Sequence, residues 1–250
     1  MPKNSSIDFL GYHVFNASLE NILDRDKILV STINQYSYCM AQSDAIFRDS
    51  LKSSDVLLPD GIGIVWAYKL LYGKKIKKIA GADLHEFLLR DTNEKNGACF
   101  YMGSSEDTLK KIEARIAEEF PNIRVGSYSP PFKKEFSAEE NQEILRAVND
   151  FKPDVLFVGM TAPKQEKWSM EHKTRLDASL ICSIGAVFDF YAGTVERPSQ
   201  IWINMGLEWL GRLIKEPKRM WKRYVNYGFV FVYYMFKEGI KKGLGMSVGK

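Results

Sequence analysis

Short apolar runs alternate along the chain with amphipathic stretches, and this alternation predicts a mostly parallel β-sheet flanked by helices, an α/β fold of the Rossmann-like kind. Five runs read as buried strands: residues 27–32 (KILVST), 55–58 (DVLL), 98–102 (ACFYM), 154–159 (DVLFVG) and 179–184 (SLICSI). Between them the period lengthens. Leu109, Ile112, Ile116 and Phe120 fall on one face of a helix over 105–120. A second helix over 137–150 opens with SAEE, where Ser137 and Glu140 have the spacing of a capping box. Segment 127–136 (SYSPPFKKEF), with two prolines and two lysines, reads as an irregular loop.

The C-terminal stretch breaks this alternation. Residues 209–224 (WLGRLIKEPKRMWKRY) are basic, aromatic and helix-compatible, and Pro217 suits the first turn of a new helix. Residues 224–236 (YVNYGFVFVYYMF) are almost all apolar or aromatic. A helix that crosses a bilayer takes roughly 20 apolar residues, so this run is too short to span. The expected organisation is an α/β core over residues 1–205 and a basic, amphipathic helical appendage over 206–250.

Composition supports a real core and adds a charge asymmetry. With 250 residues, 45% of them hydrophobic and 26% charged, the chain suits one sizeable domain with an appendage. Its formal charge of +4 is unevenly placed: residues 212–250 hold ten bases and two acids, the rest 25 bases and 29 acids. A basic tail on an acidic body points to an anionic partner. No recognition motif accompanies the charge, so an anionic membrane surface is favoured over nucleic acid. The candidate membrane contacts are Arg212, Lys215, Lys218, Arg219, Trp221, Lys222 and Arg223. Basic side chains near an anionic leaflet contribute about 1 kcal/mol each. The apolar run would lie in the interface without crossing it. The competing reading is a core helix with a solvated charged face.

Cys39, Cys99 and Cys182 are far apart in apolar surroundings and read as buried reduced thiols, which fits cytosol. The N-terminus lacks the apolar region of a signal peptide, so the body is not expected to be exported. His13, His85 and His172 form no ligand pair. There is no DxD pair, and no cofactor or metal is implied. Phosphate stabilisation is then expected from protein dipoles and cations.

In an open parallel sheet, ligands bind outside the carboxyl ends of the strands. The residues that follow the expected strands there include Thr32, Asn34, Asp60, Gly61, Gly103, Lys164, Gln165 and Asp189. Thr32 and Asn34 either orient ligand hydroxyls or form a simple turn. Asp60 has two readings: the cap of a helix over 61–71, the commoner use of Asp in such a place, or a rigidly held general base beside glycines that admit a ligand. Lys164, after Pro163, either neutralises a diphosphate at a helix start or begins an exposed amphipathic helix. The DGIG glycines do not make a dinucleotide fingerprint, because Trp66 stands where a third glycine is needed. An oxidoreductase is therefore disfavoured.

Several stretches together resemble the WecG/TagA/CpsF glycosyltransferase family: LLPDGIGIVWA (57–67), GADL (81–84), FVGMTAPKQEKW (157–168), GAVFDFYAGTVERPS (185–199) and GLEWLGRLIKEPKRMWKRY (206–224). They stand in family order over nearly the whole chain. The resemblance implies an inverting, metal-independent transferase that moves a sugar from a UDP-sugar onto an undecaprenyl-diphosphate-linked saccharide. The pathway implied is exopolysaccharide, teichoic acid or common-antigen synthesis, and the enzyme would work peripherally at the cytoplasmic face of the plasma membrane. It assigns Asp60 as general base with Thr32 beside it, Asn34 as the asparagine of T-x-N, Gln165 near the donor and Asp189 as a nucleotide contact. Lys78 replaces an arginine common three residues before GADL, turning a bidentate phosphate clamp into a point charge. Residues 197–202 read RPSQIW rather than RAP-x-W, and the donor sugar stays open, as does homo-oligomerisation. The alternative function is a non-catalytic, membrane-associated nucleotide-binding protein.

Overall fold

The computed structural model describes residues 5–23, 27–196, 202, 207–215 and 217–245. The strands are β1 (Ser6–Phe9), β2 (Tyr12–Phe15), β3 (Ile28–Ile33), β4 (Val56–Pro59), β5 (Ala98–Gly103), β6 (Arg124–Tyr128), β7 (Val155–Gly159) and β8 (Leu180–Ser183). They form one eight-stranded sheet in the order β1-β2-β4-β3-β8-β7-β5-β6. The hairpin β1–β2 is antiparallel, and every other neighbouring pair is parallel.

The helices of the body are α1 (Gln35–Ser43), α2 (Ala45–Lys52), α3 (Ile62–Tyr72), α4 (Gly81–Glu94), α5 (Glu106–Glu119), α6 (Ala138–Phe151), α7 (Lys164–His172) and α8 (Ala186–Tyr191). They cover both faces because successive strand residues point to opposite sides. Val30, Tyr101, Phe157 and Cys182 meet Leu84, Leu88, Ile112 and Phe188 on one face. Their neighbours Leu29, Phe100, Leu156 and Ile181 meet Ile144, Val148 and Trp168 on the other. Beside that second layer, Tyr38, Phe47, Ile64 and Leu71 cover Val14 and Leu57. The sheet is thus buried on both sides, which is why its central strands read as unbroken apolar runs.

All five expected strands are present, each shifted at its ends by no more than about one residue, within the usual uncertainty of element boundaries. The hairpin β1–β2 and strand β6 were not anticipated. Strand β6 takes Ser127 and Tyr128 from the segment expected to be irregular. The capping box of α6 forms as its spacing implies: Ser137 Oγ accepts the N–H of Glu140, and Glu140 Oε2 accepts the N–H of Ser137. Cys39, Cys99 and Cys182 are buried and unbridged.

The C-terminal segment continues as α9 (Glu208–Lys215), α10 (Pro217–Trp221), a π-helical turn (Lys222–Asn226) and α11 (Tyr227–Gly243). Pro217 opens α10. Helix α11 packs against α1 and α3. It buries Phe231 and Met235, and the Phe231 ring meets Tyr38 edge-on at 5.5 Å. Its outer side leaves Phe229, Val232, Tyr233 and Phe236 exposed. The apolar run expected to lie whole in a membrane interface is therefore divided, one face docked on the body and one facing outward. Among the described residues, no helix is long and apolar enough to cross a membrane.

The docking of α11 gives a direct test. Phe231→Ala should lower stability by about 3 kcal/mol through the cavity it leaves against Tyr38. Phe236→Ala on the outer face should change stability little. Urea denaturation midpoints measure both, and equal effects would contradict this docking.

Candidate active site

A cleft of about 770 Å³ opens at the carboxyl ends of the strands. Hydrogen bonds between strand ends position its floor. The N–H of Asp60 donates to the carbonyl of Ile33 (2.9 Å), extending the β3–β4 ladder by one step and setting Asp60 beside Thr32 and Asn34. The N–H of Ile79 donates to the carbonyl of Pro59 (3.1 Å), which brings Lys78 to the same strand end.

Glycine governs how closely the strand ends approach. Gly103 has φ +115° and pairs with Gly159 across β5–β7; a Cβ on Gly103 would stand 2.3 Å from the Gly159 carbonyl oxygen. A Cβ on Gly185 would stand 2.3 Å from the Met160 carbonyl oxygen. Neither position has room for a side chain.

Thr32, Asn34, Asp60, Gly61, Lys78, Gly103, Lys164, Gln165 and Asp189 all line this one cleft. Their individual geometry corrects several local expectations. Asp60 is not the cap residue of the helix that follows it: α3 starts at Ile62, and Gly61 holds the cap position. Asn34 instead is a helix cap. Its Oδ1 accepts the N–H groups of Tyr36 and Ser37, both at 3.0 Å, and Ser37 Oγ accepts the N–H of Asn34 in return. Pro163 is the cap residue of α7 rather than its first helical position, and the Ala162–Pro163 bond is cis.

Lys164 donates from Nζ to the carbonyl of Lys133 (2.6 Å) and lies over the Phe136 ring. It is the first residue of α7, a helix that buries Gln165, Glu166, Trp168, Ser169 and His172 rather than lying exposed, and it fastens the loop after β6 to the cleft wall. Burial lowers its pKa. Gln165 is buried, its Oε1 accepting the N–H of Gly185 (3.0 Å) and its Nε2 donating to Glu166 Oε1 (2.9 Å). The backbone carbonyl of Asp189 accepts from Val195 and from the Thr194 hydroxyl.

Of the residues assigned to a membrane, Lys218, Trp221 and Lys222 are exposed. Arg223 instead lines the cleft with Trp209 and Tyr224, and its guanidinium stacks on the Tyr36 ring at 4.7 Å. The side chains of Arg212, Lys215 and Arg219, and residues 197–201 with the 205/206 boundary, lie outside the described residues.

Sequence reasoning set Gln35 and Glu166 at the strand ends without giving either a role, and it did not bring Lys133 and Lys134 to the wall. The Gln35 Oε1 is buried without a hydrogen-bond partner and packs over Gly61 and Gly63. Glu166 stood unremarked beside Gln165 in the same quoted motif. Around the cleft, Lys78, Lys133, Lys134, Lys164 and Arg223 outnumber Asp60, Glu166 and Asp189. That excess, with the starts of α3, α4 and α7 in the wall, suits a ligand carrying phosphates. His85 belongs to the core: it is bonded to the Tyr101 hydroxyl at 2.6 Å, and burial pushes its pKa down to about 3.

Residues 4–244 match the family described as glycosyl transferase WecG/TagA/CpsF. An N-acetylglucosaminyldiphosphoundecaprenol N-acetyl-beta-D-mannosaminyltransferase of Bacillus subtilis (strain 168) is 32% identical over 222 residues, covering 89% of this chain and 82% of that protein. A protein of the same name from Bacillus spizizenii (strain ATCC 23059 / NRRL B-14472 / W23) is 30% identical over 206 residues, covering 82% and 77%.

The cap at Asn34 separates structure from ligand contact. Asn34→Ala should cost about 1 kcal/mol of stability, and Asn34→Asp should restore it. Thermal denaturation of the two variants checks this, and equal losses would contradict the cap.

Proposed function

The chain belongs to the WecG/TagA/CpsF glycosyltransferase family, and from that premise we propose that it moves a sugar from a UDP-sugar onto an undecaprenyl-diphosphate-linked saccharide, with inversion at the anomeric carbon. The observation that carries this reading is Asp60: a carboxylate directly after β4 that lines a cleft edged by cations. The names of the Bacillus relatives, which specify a sugar on diphosphoundecaprenol, support a lipid-linked acceptor.

In the proposed step the acceptor hydroxyl loses its proton to the Asp60 carboxylate as its oxygen bonds to the anomeric carbon. The bond from that carbon to the β-phosphate oxygen breaks, and UDP leaves with the electron pair. Attack from the face opposite the leaving group inverts the centre. Thr32, one strand away, orients the acceptor hydroxyl. Lys78, Lys164 and Arg223 offset the charge that develops on the departing diphosphate, aided by backbone N–H groups at helix starts. These fixed cations support catalysis without a divalent metal. Gln165 and Asp189 hold the donor, and Gly61 and Gly103 let it approach the backbone.

The lipid acceptor never leaves the bilayer, so the enzyme must meet it there. The exposed Lys218, Trp221 and Lys222, with the outer face of α11, form the proposed contact with the anionic cytoplasmic leaflet. Arg212, Lys215 and Arg219 share the same basic stretch. This makes the protein peripheral, docked through residues 206–250.

Asp60→Asn should bind UDP with near-normal affinity by calorimetry yet lose about 99% or more of transfer, as expected for loss of a general base. Near-normal turnover would remove Asp60 from the mechanism. Wild-type transfer assayed across a panel of UDP-sugars with a short-chain lipid-diphosphate acceptor should persist in EDTA; dependence on added metal would overturn the metal-free step. Replacing Lys218 and Lys222 with Glu and Phe236 with Ser should release the protein from anionic vesicles in low-salt sedimentation. Unchanged pelleting would exclude this face as the anchor.

A further inference from the structure

The cleft wall holds a carboxyl group to which the step above gives no task. Glu166 lies in the first turn of α7 and is only 2% exposed, yet it lines the cleft. Its two oxygens differ. Oε1 accepts from Gln165 Nε2 at 2.9 Å, whereas Oε2 is buried and has no hydrogen-bond partner. Gln165 is itself fixed, because its Oε1 accepts the N–H of Gly185. A line of hydrogen bonds thus runs from the turn after β8 through Gln165 to Glu166, a cleft-lining residue, and stops at its one unsatisfied atom.

Buried polar atoms are nearly always paired, and leaving one unpaired costs about 1–3 kcal/mol. An orphan inside a functional cleft is most simply relieved by the ligand. We propose that Glu166 is a substrate-contacting residue whose Oε2 hydrogen-bonds a neutral hydroxyl or N–H group of the bound sugar nucleotide or of the acceptor saccharide. The inference rests on the transferase reading above and adds a specificity determinant to it.

The chemistry favours a neutral partner over a phosphate. Burial pushes the Glu166 pKa up to about 7, opposed by the bond from Gln165 and by the Arg223 guanidinium. A carboxyl close to its own pKa can donate or accept, which suits a hydroxyl or amide, while its ionised form would repel a diphosphate. Lys167 on the same helix is engaged elsewhere, with Asp44 at 2.6 Å. The phosphates are left to Lys78, Lys164 and Arg223.

Two experiments test the proposal. In the first, donor and acceptor KM are measured separately for Glu166→Leu and Glu166→Gln, with melting temperatures alongside. Leu cannot hydrogen-bond; Gln keeps the size, the link to Gln165 and a polar atom in place of Oε2. Glu166→Leu should raise KM for one substrate at least about tenfold, and which KM rises identifies the source of the bonded group. Glu166→Gln should stay within about threefold of wild type if the bonded group is a hydroxyl, and should raise the same KM as Glu166→Leu if it is an N–H, which the amide Nε2 cannot accept. A folded Glu166→Leu variant with both KM values unchanged would overturn the proposal. So would a loss confined to kcat or melting temperature, which marks a purely structural role.

In the second, needing only wild type and Glu166→Gln, isotope-edited infrared difference spectra follow the Glu166 carboxyl band as UDP-sugars or the acceptor are added. A shift with one of them supports the contact, and no shift with either overturns it. Absence of wild-type turnover with every UDP-sugar would instead defeat the transferase reading, and the infrared result would still judge Glu166.

Discussion

The approach of Gly103 to Gly159, backbone against backbone with no space for a Cβ, is the constraint from which the rest of the site follows. It lets β5 and β7 stay paired to their last residues. The same economy of volume recurs one strand over, where Gly185 sits against the Met160 carbonyl and Phe188 packs onto Gly159. With strand ends held this tightly, the segments leaving them must diverge, and the space they enclose is the cleft.

Division of labour within the cleft follows from what each side chain is already bonded to. Asn34 is committed to the first turn of α1, and Gln165 to the turn after β8. Both therefore hold the architecture of the wall, whatever else they touch. Lys164 anchors the loop after β6 through the Lys133 carbonyl while staying at the wall. Gly61 takes the cap position of α3, and Asp60 just before it is the carboxylate proposed for proton transfer. Arg223 reaches the same space from the C-terminal segment, so the stretch that carries the exposed basic residues also contributes to the cleft.

The strands legible in the sequence were those buried on both faces, where an apolar run has no competing explanation. The missed elements lacked that signature. Strand β6 is an edge strand with no fully buried residue, and its Arg124 stacks over Phe151 instead of entering the core. The β1–β2 hairpin turns through Leu10 and Gly11, both at positive φ. Leu in the first of these places hides a turn normally announced by Asn or Asp. The cleft residues were legible as a set because strand ends are predictable once strands are. Their individual roles were not: that Asn34 caps α1, and that Gly61 rather than Asp60 holds the cap position of α3, depends on where each helix begins to within one residue. Glu166 stood at the same strand end without a role, because nothing in a sequence shows that one carboxyl oxygen lacks a partner. The apolar run at 224–236 concealed its own division, since both its docked and its outward faces are apolar.

The central claim is that the cleft at the strand ends delivers an acceptor hydroxyl to the side chain at position 60. A ternary crystal structure of Asp60→Asn with a UDP-sugar and a short-chain lipid-diphosphate acceptor tests it most directly. The account predicts the attacking hydroxyl within about 2.6–3.2 Å of the residue 60 side chain, on the face of the sugar opposite the diphosphate. A hydroxyl bound out of reach of that side chain, with another acid or base beside it, would contradict the account.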